Sequence, residues 1–432
     1  MRRSGSNSEK MRQVLVKPRL LSSKVNRWSP YFLGLVWVSS LFSVGCTPEK
    51  GAIFNPAPNT TQGDAVRDLR GELQKSLESA VSEIGSPGGI LAVEDPQGTR
   101  WFFSTGVAEV NNLGTRLSEG WKGTAMTWDM QTRAGSITKS ITSTLLLMLV
   151  DEGLIKLDDA VDSYLSGVPK GETISIRQLL NQTAGLYDYS DSNFVSAWPV
   201  PVFSPRQLLD YAIAHGPDGG SNFEPGTKWE YSNTNYVVAG MIAERVTGKS
   251  FHELVNTRIL APLLLNHSRI PAPEETTMAE AHVHGYVHGF LPAMPNLCID
   301  TSVTSSSAAY SAGSLLSTAG DLLSWLRAVS QGRLLSSTSK KAMFTTVPTS
   351  AFGGEYGLGI LVQKAADGSE IIGHQGTVPG YETSMYACKD WCVVSICNSN
   401  QAPSFNSLES KNVIVRKAWK AIFPNWPTES IR

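Results

Sequence analysis

The apolar positions of this chain change their period along its length, and the changes divide it. From Tyr31 to Val44 they run almost unbroken, after a stretch carrying Arg2, Arg3, Lys10, Arg12, Lys17, Arg19, Lys24 and Arg27. That run is short for a bilayer span and reads as the core of an export signal. Between Asp64 and Ile84, Val66, Leu69, Leu73, Leu77, Ala80 and Val81 form one stripe at helical spacing, which predicts an amphipathic helix. Gly89 to Val93 and Trp101 to Val110 read as strands around a turn at Asp95-Pro96-Gln97-Gly98.

The period then lengthens again. Ile137, Ile141, Leu145, Met148 and Leu149 make the buried face of a long helix, with Gly153 as its stop. Further helices are predicted from Ile176 to Leu180, from Pro205 to His215, from Thr234 to Thr247 before Gly248, and after a cap at Ser317 or Thr318. From Tyr356 onward the pattern returns to strands: Gly357 to Gln363, Glu370 to Gly376, Tyr381 to Ala387 and Trp391 to Ser395. Ser407 to Phe423 closes the pattern as a helix, and 424–432 is a tail. Strands from both ends of the domain fit one antiparallel sheet flanked by helices, with a mostly helical lobe of about 136–330 inserted between them. The expected class is α/β, and a cleft between the lobes is the expected place for a site.

Composition sharpens this picture in a few places. The chain has 432 residues and a net charge of −1, which gives no electrostatic basis for binding nucleic acid. Ser43-Val44-Gly45-Cys46 resembles a bacterial lipobox, although Ser43 stands where leucine is usual. Residues 1–46 are therefore expected to be an export signal of lipoprotein type with Cys46 as the lipidated residue, giving a cell-envelope protein held at a membrane; ordinary cleavage nearby, giving a periplasmic or secreted protein, is the alternative. Residues 47–63, rich in Pro, Asn, Thr and Gly, read as a tether. Export permits disulfides. A three-residue hairpin loop would pair Cys388 with Cys392, leaving Cys397 on the other face of its strand; pairing with Cys298, or buried free thiols, are both open.

The candidate chemistry sits at Ala134-Gly135-Ser136-Ile137-Thr138-Lys139. Ser136 opens the long helix and Lys139 lies one turn later on the same side. A serine hydroxyl attacks only when a base takes its proton, and a lysine amine is a base only when its pKa is lowered. A helix start also offers backbone N–H groups to an oxyanion. The same tetrad spacing recurs at Ser337 to Lys340, in a polar segment. Tyr231-Ser232-Asn233 and His374-Gln375-Gly376-Thr377 follow in order.

Ser-x-x-Lys, then Tyr-x-Asn, then a basic-x-Gly triplet resembles the penicillin-recognising serine hydrolases. The tyrosine version is similar to class C β-lactamases and to actinomycete-type serine D-alanyl-D-alanine carboxypeptidases, and the histidine looks like the latter branch. The resemblance covers roughly Gly88 to Phe423. It implies that Ser136 forms an acyl-enzyme, Lys139 activates it, and Tyr231 exchanges protons with the leaving amine and the incoming water. It implies that Asn233 donates to the substrate amide, and that the N–H groups of Ser136 and Thr377 form an oxyanion hole. His374 would supply positive potential or a hydrogen bond, and Gly376 would leave room for the strand edge to approach the acyl chain. No cofactor or metal is implied. The expected partner is a peptidoglycan stem peptide or a β-lactam.

Departures from that family bear on the substrate. Ile360-Leu361-Val362-Gln363 lacks the arginine that holds the peptide carboxylate in the carboxypeptidases, and Ala308 and Ala309 stand where an aromatic wall is expected. Thr377, another carboxylate contact, is kept. The expectation is an exported serine hydrolase of the carboxypeptidase type; a β-lactamase, a promiscuous esterase and a non-catalytic penicillin-binding sensor are the alternatives. His282, His284 and His288 cluster, but no Asp or Cys partner is near them in sequence and no metal site is expected.

Overall fold

Ile90 and Ala92 face one hydrophobic core while Leu91 and Val93 face another, so the strand that carries them is covered on both sides. This is the centre of the fold in a computed structural model that describes residues 68–111, 120–191, 194, 201–288, 298–349, 354–365, 367–401 and 412–426. The described residues belong to one compact unit. The export signal, Cys46 and the tether lie outside them, as do the first residues of the two terminal helices expected from sequence.

Among the described residues the main sheet has nine strands. In chain order they are β1 (Gly88–Glu94), β2 (Arg100–Val110), β3 (Gly123–Ala125), β4 (Val347–Pro348), β5 (Glu355–Tyr356), β6 (Leu361–Lys364), β7 (Glu370–Val378), β8 (Tyr381–Cys388) and β9 (Trp391–Cys397). Their spatial order is β3-β2-β1-β9-β8-β7-β6-β5-β4, every neighbouring pair antiparallel. Early and late strands thus share one sheet, as the sequence predicts. The short outer strands β3, β4 and β5 carry too little pattern to be seen in the sequence.

The helices used below are α1 (Leu69–Ile84), α2 (Thr138–Asp151), α3 (Ile176–Leu180), α4 (Pro205–His215), α5 (Asn233–Thr247), α6 (Ala319–Gln331), α7 (Ser337–Met343) and α8 (Val413–Ile422). α1 and α8 cover one face of the sheet through Leu73, Leu77, Ile414 and Trp419, all fully buried. Each such side chain contributes about 1.5–3 kcal/mol by leaving water. Asp68 caps α1 by accepting from the Gly71 N–H at 3.0 Å. α2, α6 and the helical segment cover the other face in one continuous core.

Two expectations are corrected by the fold. Gly357 to Ile360 form a turn rather than the start of a strand, closed by the Gly357 N–H donating to the Ile360 carbonyl at 2.8 Å. Gly359 there has φ +75°, and a Cβ on it would lie 2.7 Å from the Lys139 carbonyl, so α2 packs directly on this turn. The second correction concerns the thiols. The β8–β9 hairpin turns through two residues, Lys389 and Asp390, both at positive φ, and pairs Cys388 with Trp391 and Cys392 with Ala387. One residue of register sends Cys388 and Cys392 to opposite faces of the sheet. Cys298, Cys388, Cys392 and Cys397 are buried free thiols.

Candidate active site

Ser136 sits in a single 3₁₀ turn, Gly135–Ile137, from which α2 continues. The turn is wedged between the helical segment and β7. Gly135 has φ +55°, and a Cβ on it would lie 2.8 Å from the Thr377 nitrogen. Gly376 faces the turn from the other side, where a Cβ would lie 1.9 Å from the Ala134 carbonyl oxygen. The Thr383 hydroxyl donates to that same carbonyl at 2.8 Å. Glycine at 376 thus makes room for the serine turn.

α2 is buried on nearly all sides, not along one face alone. Its polar residues are satisfied at once: Thr138 and Ser140 donate back to the Gly135 and Ile137 carbonyls, and Thr142 donates to the Ser311 carbonyl. Lys139 on this helix is fully buried. Its Nζ lies 3.0 Å from Ser136 Oγ, 2.6 Å from Asn233 Oδ1 and 2.8 Å from the Ala312 carbonyl oxygen. A neutral amine has two N–H groups and one lone pair. The two fixed acceptors, Asn233 and Ala312, take the two N–H groups, which leaves the lone pair for the Ser136 proton. Burial pushes the Lys139 amine down to about 7, against the opposing charge of Asp188.

Tyr231 is hydrogen-bonded to Ser136, and burial raises its pKa well above the ordinary phenol value. Its ring centroid lies 4.8 Å from Lys139 Nζ. Burial thus holds Tyr231 as a neutral phenol, with its ring against the lysine amine. Tyr231 is held from behind by Gln182, a residue that no motif marks in the sequence. Gln182 adopts φ +68°. Its carbonyl accepts from the Glu230 N–H at 3.1 Å, and its Oε1 accepts from the Ser232 N–H at 3.1 Å and from Asn235 Nδ2 at 2.6 Å.

Asn233 and His374 are both brought to the site, where each hydrogen-bonds within the protein. Asn233 Nδ2 donates to Ser190 Oγ at 2.7 Å and to Asp188 Oδ2 at 3.3 Å. Its oxygen is held by Lys139 at 2.6 Å. His374 is 2 % exposed. Its Nδ1 lies 2.6 Å from the Gln375 carbonyl oxygen, and its Nε2 lies 2.9 Å from the Tyr356 hydroxyl. Tyr356 in turn meets the Tyr231 ring edge-on at 6.5 Å. Tyr356 thus lies between His374 and the Tyr231 ring.

β7 carries an open edge. Its pairing with β6 ends where Leu361 meets Gly373, so His374 to Val378 have no partner strand on that side among the described residues. Thr377 Oγ1 is buried there with no hydrogen-bond partner. The other Ser-x-x-Lys tetrad lies apart from all this, in α7, where Lys340 donates to the Gln331 carbonyl. Among the histidines, His282 and His284 stack at 5.2 Å, and His284 pairs with Asp300 at 2.8 Å. Strand pairing of Tyr286–His288 with Cys298–Asp300 supplies that acidic partner, which corrects the sequence expectation that the cluster has none. Among the described residues no group of three or more His, Cys, Asp or Glu is placed to hold a metal.

A buried lysine against a serine on a helix-initiating turn, with a tyrosine relay and an open strand edge, defines a serine hydrolase site. The Beta-lactamase family model matches residues 75–417, and the chain belongs to that family. It is 29% identical over 299 residues to penicillin-binding protein 4* of Bacillus subtilis (strain 168), covering 67% of this chain and 64% of that protein. It thus spans less than two thirds of that relative's length. Among solved structures, a D-stereospecific amidohydrolase from Streptomyces sp. superimposes with a TM-score of 0.67 at 32% identity, covering 82% of this chain and 98% of that one. D-amino acid amidase from Ochrobactrum anthropi SV3, complexed with D-phenylalanine, gives a TM-score of 0.71 at 27% identity over 82% of this chain and 99% of that one. The chain thus shares the fold of the penicillin-binding-protein and D-amino acid hydrolase relatives in that family.

Proposed function

We propose that this enzyme cleaves amide bonds on the carbonyl side of D-configured residues through an acyl-enzyme on Ser136, with D-alanyl peptides of the cell wall as one member of its substrate class. The observation that carries this is the hydrogen bonding of Lys139, whose two acceptors aim its lone pair at Ser136 Oγ. The D-stereospecific amidohydrolase and the D-amino acid amidase support the stereochemistry.

In this reading Lys139 takes the Ser136 proton as Oγ bonds to the carbonyl carbon. The oxyanion is met by the Ser136 and Thr377 N–H groups. Tyr231 hands a proton to the departing amine as the C–N bond breaks and is reprotonated from Lys139. Water then attacks the ester by the reverse route, restoring Ser136. The missing carboxylate-binding arginine on β6 argues for amides and aminopeptidase-like substrates over strict D-alanyl-D-alanine carboxypeptidase action. Export and a Cys46 lipid anchor, as the leader pattern suggests, would place this activity in the cell envelope.

The test is intact mass of the domain over time with a penicillin and with D- and L-amino acid amides. A Ser136 adduct together with hydrolysis of the D-amides alone is expected. Rapid loss of the penicillin with only a transient adduct would reassign the enzyme as a β-lactamase. Hydrolysis of esters alone, without any adduct, would make it an esterase.

A further inference from the structure

An asparagine amide has nearly the same shape in its two flips, so something must decide which end faces Lys139. The chain of donors and acceptors behind Asn233 decides it. Asp188 Oδ1 accepts from the Ser190 hydroxyl at 2.9 Å and from the Ser190 N–H at 3.1 Å. The Ser190 hydroxyl, its proton given to Asp188, can only accept from Asn233 Nδ2, at 2.7 Å. Asp188 Oδ2 accepts from the same amide nitrogen at 3.3 Å. The reversed flip would set the amide oxygen against a carboxylate and two amide protons against the lysine amine.

We infer that Asp188 and Ser190 are a positioning pair, which fixes the Asn233 amide so that its oxygen faces Lys139 and orients the general base. The inference rests on the acyl-enzyme reading above. The pair is itself held in place: the Thr234 hydroxyl at the start of α5 donates to the Tyr187 carbonyl at 2.6 Å and accepts from the Tyr189 N–H at 3.1 Å. Asp188 also places a negative charge where it favours the lysine ammonium. The other titratable groups around the two are Tyr231 and Tyr236 against Lys139, and Tyr187 and Tyr189 beside Asp188. Asp191, nearby, is turned to the hydroxyls of Tyr187 and Tyr211.

The experiment is the pH profile of kcat/KM for the full chain and for Asp188→Asn, on a D-amino acid p-nitroanilide. A neutral amide at 188 can present either a donor or an acceptor, so the Asn233 flip is no longer fixed. The plateau should fall on the order of 10- to 100-fold, the scale on which misplaced catalytic groups lose rate. The acid limb should move to lower pH, because the ammonium loses a nearby negative charge. A limb that stays in place, or a plateau that is unchanged, in a variant with wild-type circular dichroism and melting overturns the inference. If Asp188→Asn does not fold, Ser190→Ala decides: kcat about tenfold lower at an unchanged KM supports the pair, and a wild-type kcat overturns it. A wild-type chain that never acylates removes the acyl-enzyme reading, and this inference with it. Acylation of the wild type with an unmoved limb in the variant removes this inference alone.

Discussion

At the scale of single residues, the chemistry depends on how many partners Lys139 has. Two acceptors and one hydroxyl surround an amine that has two N–H groups and one lone pair when neutral. Its full burial is the main cause of its lowered pKa, opposed by the charge of Asp188. The base form is the unprotonated one, so activity should rise with pH as the amine loses its proton. The acid limb of kcat/KM is expected to inflect near pH 7 and to vanish in Lys139→Arg, with a loss of about 10²–10⁴-fold. Steady-state kinetics from pH 5 to 9 check this; a limb that survives unchanged in the arginine variant would point to another base. The pattern of Ser136, Lys139 and Tyr231 was legible in sequence because their spacing on a helix and their order along the chain reflect the chemistry directly. The hydrogen-bond partners of Asn233 and His374 were not, because they come from distant parts of the chain.

Among the elements, the close approach of the serine turn to β7 matters most. The turn can dock only because Gly135 and Gly376 have no side chains where the two backbones meet. In Gly376→Ala the added carbon would sit 1.9 Å from the Ala134 carbonyl oxygen, a backbone atom that cannot rotate aside. The variant should lose about 1–3 kcal/mol of stability, and its acylation rate should fall with the displacement of Ser136. Thermal melting and stopped-flow acylation would show both effects; wild-type acylation in this variant would mean that the turn is not held by β7. The hairpin of β8 and β9 gives the opposite lesson. There a loop of two residues in place of three reverses the facing of Cys392 relative to Cys388, and hydrophobic alternation alone does not count loop residues.

On the scale of the whole molecule, one sheet covered on both faces joins early and late parts of the chain, and the site lies where the helical segment meets one edge of it. The matching family model, 75–417, falls within this unit. Membrane attachment through Cys46 is a proposal that rests on the leader pattern alone. Cys46→Ser is expected to shift the protein from the membrane fraction to the soluble exported fraction, as read by immunoblot after fractionation. Continued membrane retention would remove lipidation at Cys46 from the account.

The sequence by itself determined the class of fold, the long helices and central strands, and the order of the three motifs. Period and spacing are local properties, and a buried face or a helix start leaves its mark on neighbouring residues. Only the tertiary structure decided which Ser-x-x-Lys tetrad is buried against a tyrosine, that Gln182 braces the Tyr231 segment, that Gly376 yields to the Ala134 carbonyl, and that Asp188 stands behind Asn233. Those arrangements join residues far apart in the chain, and their geometry follows from packing and the satisfaction of buried polar groups, neither of which has a period to read.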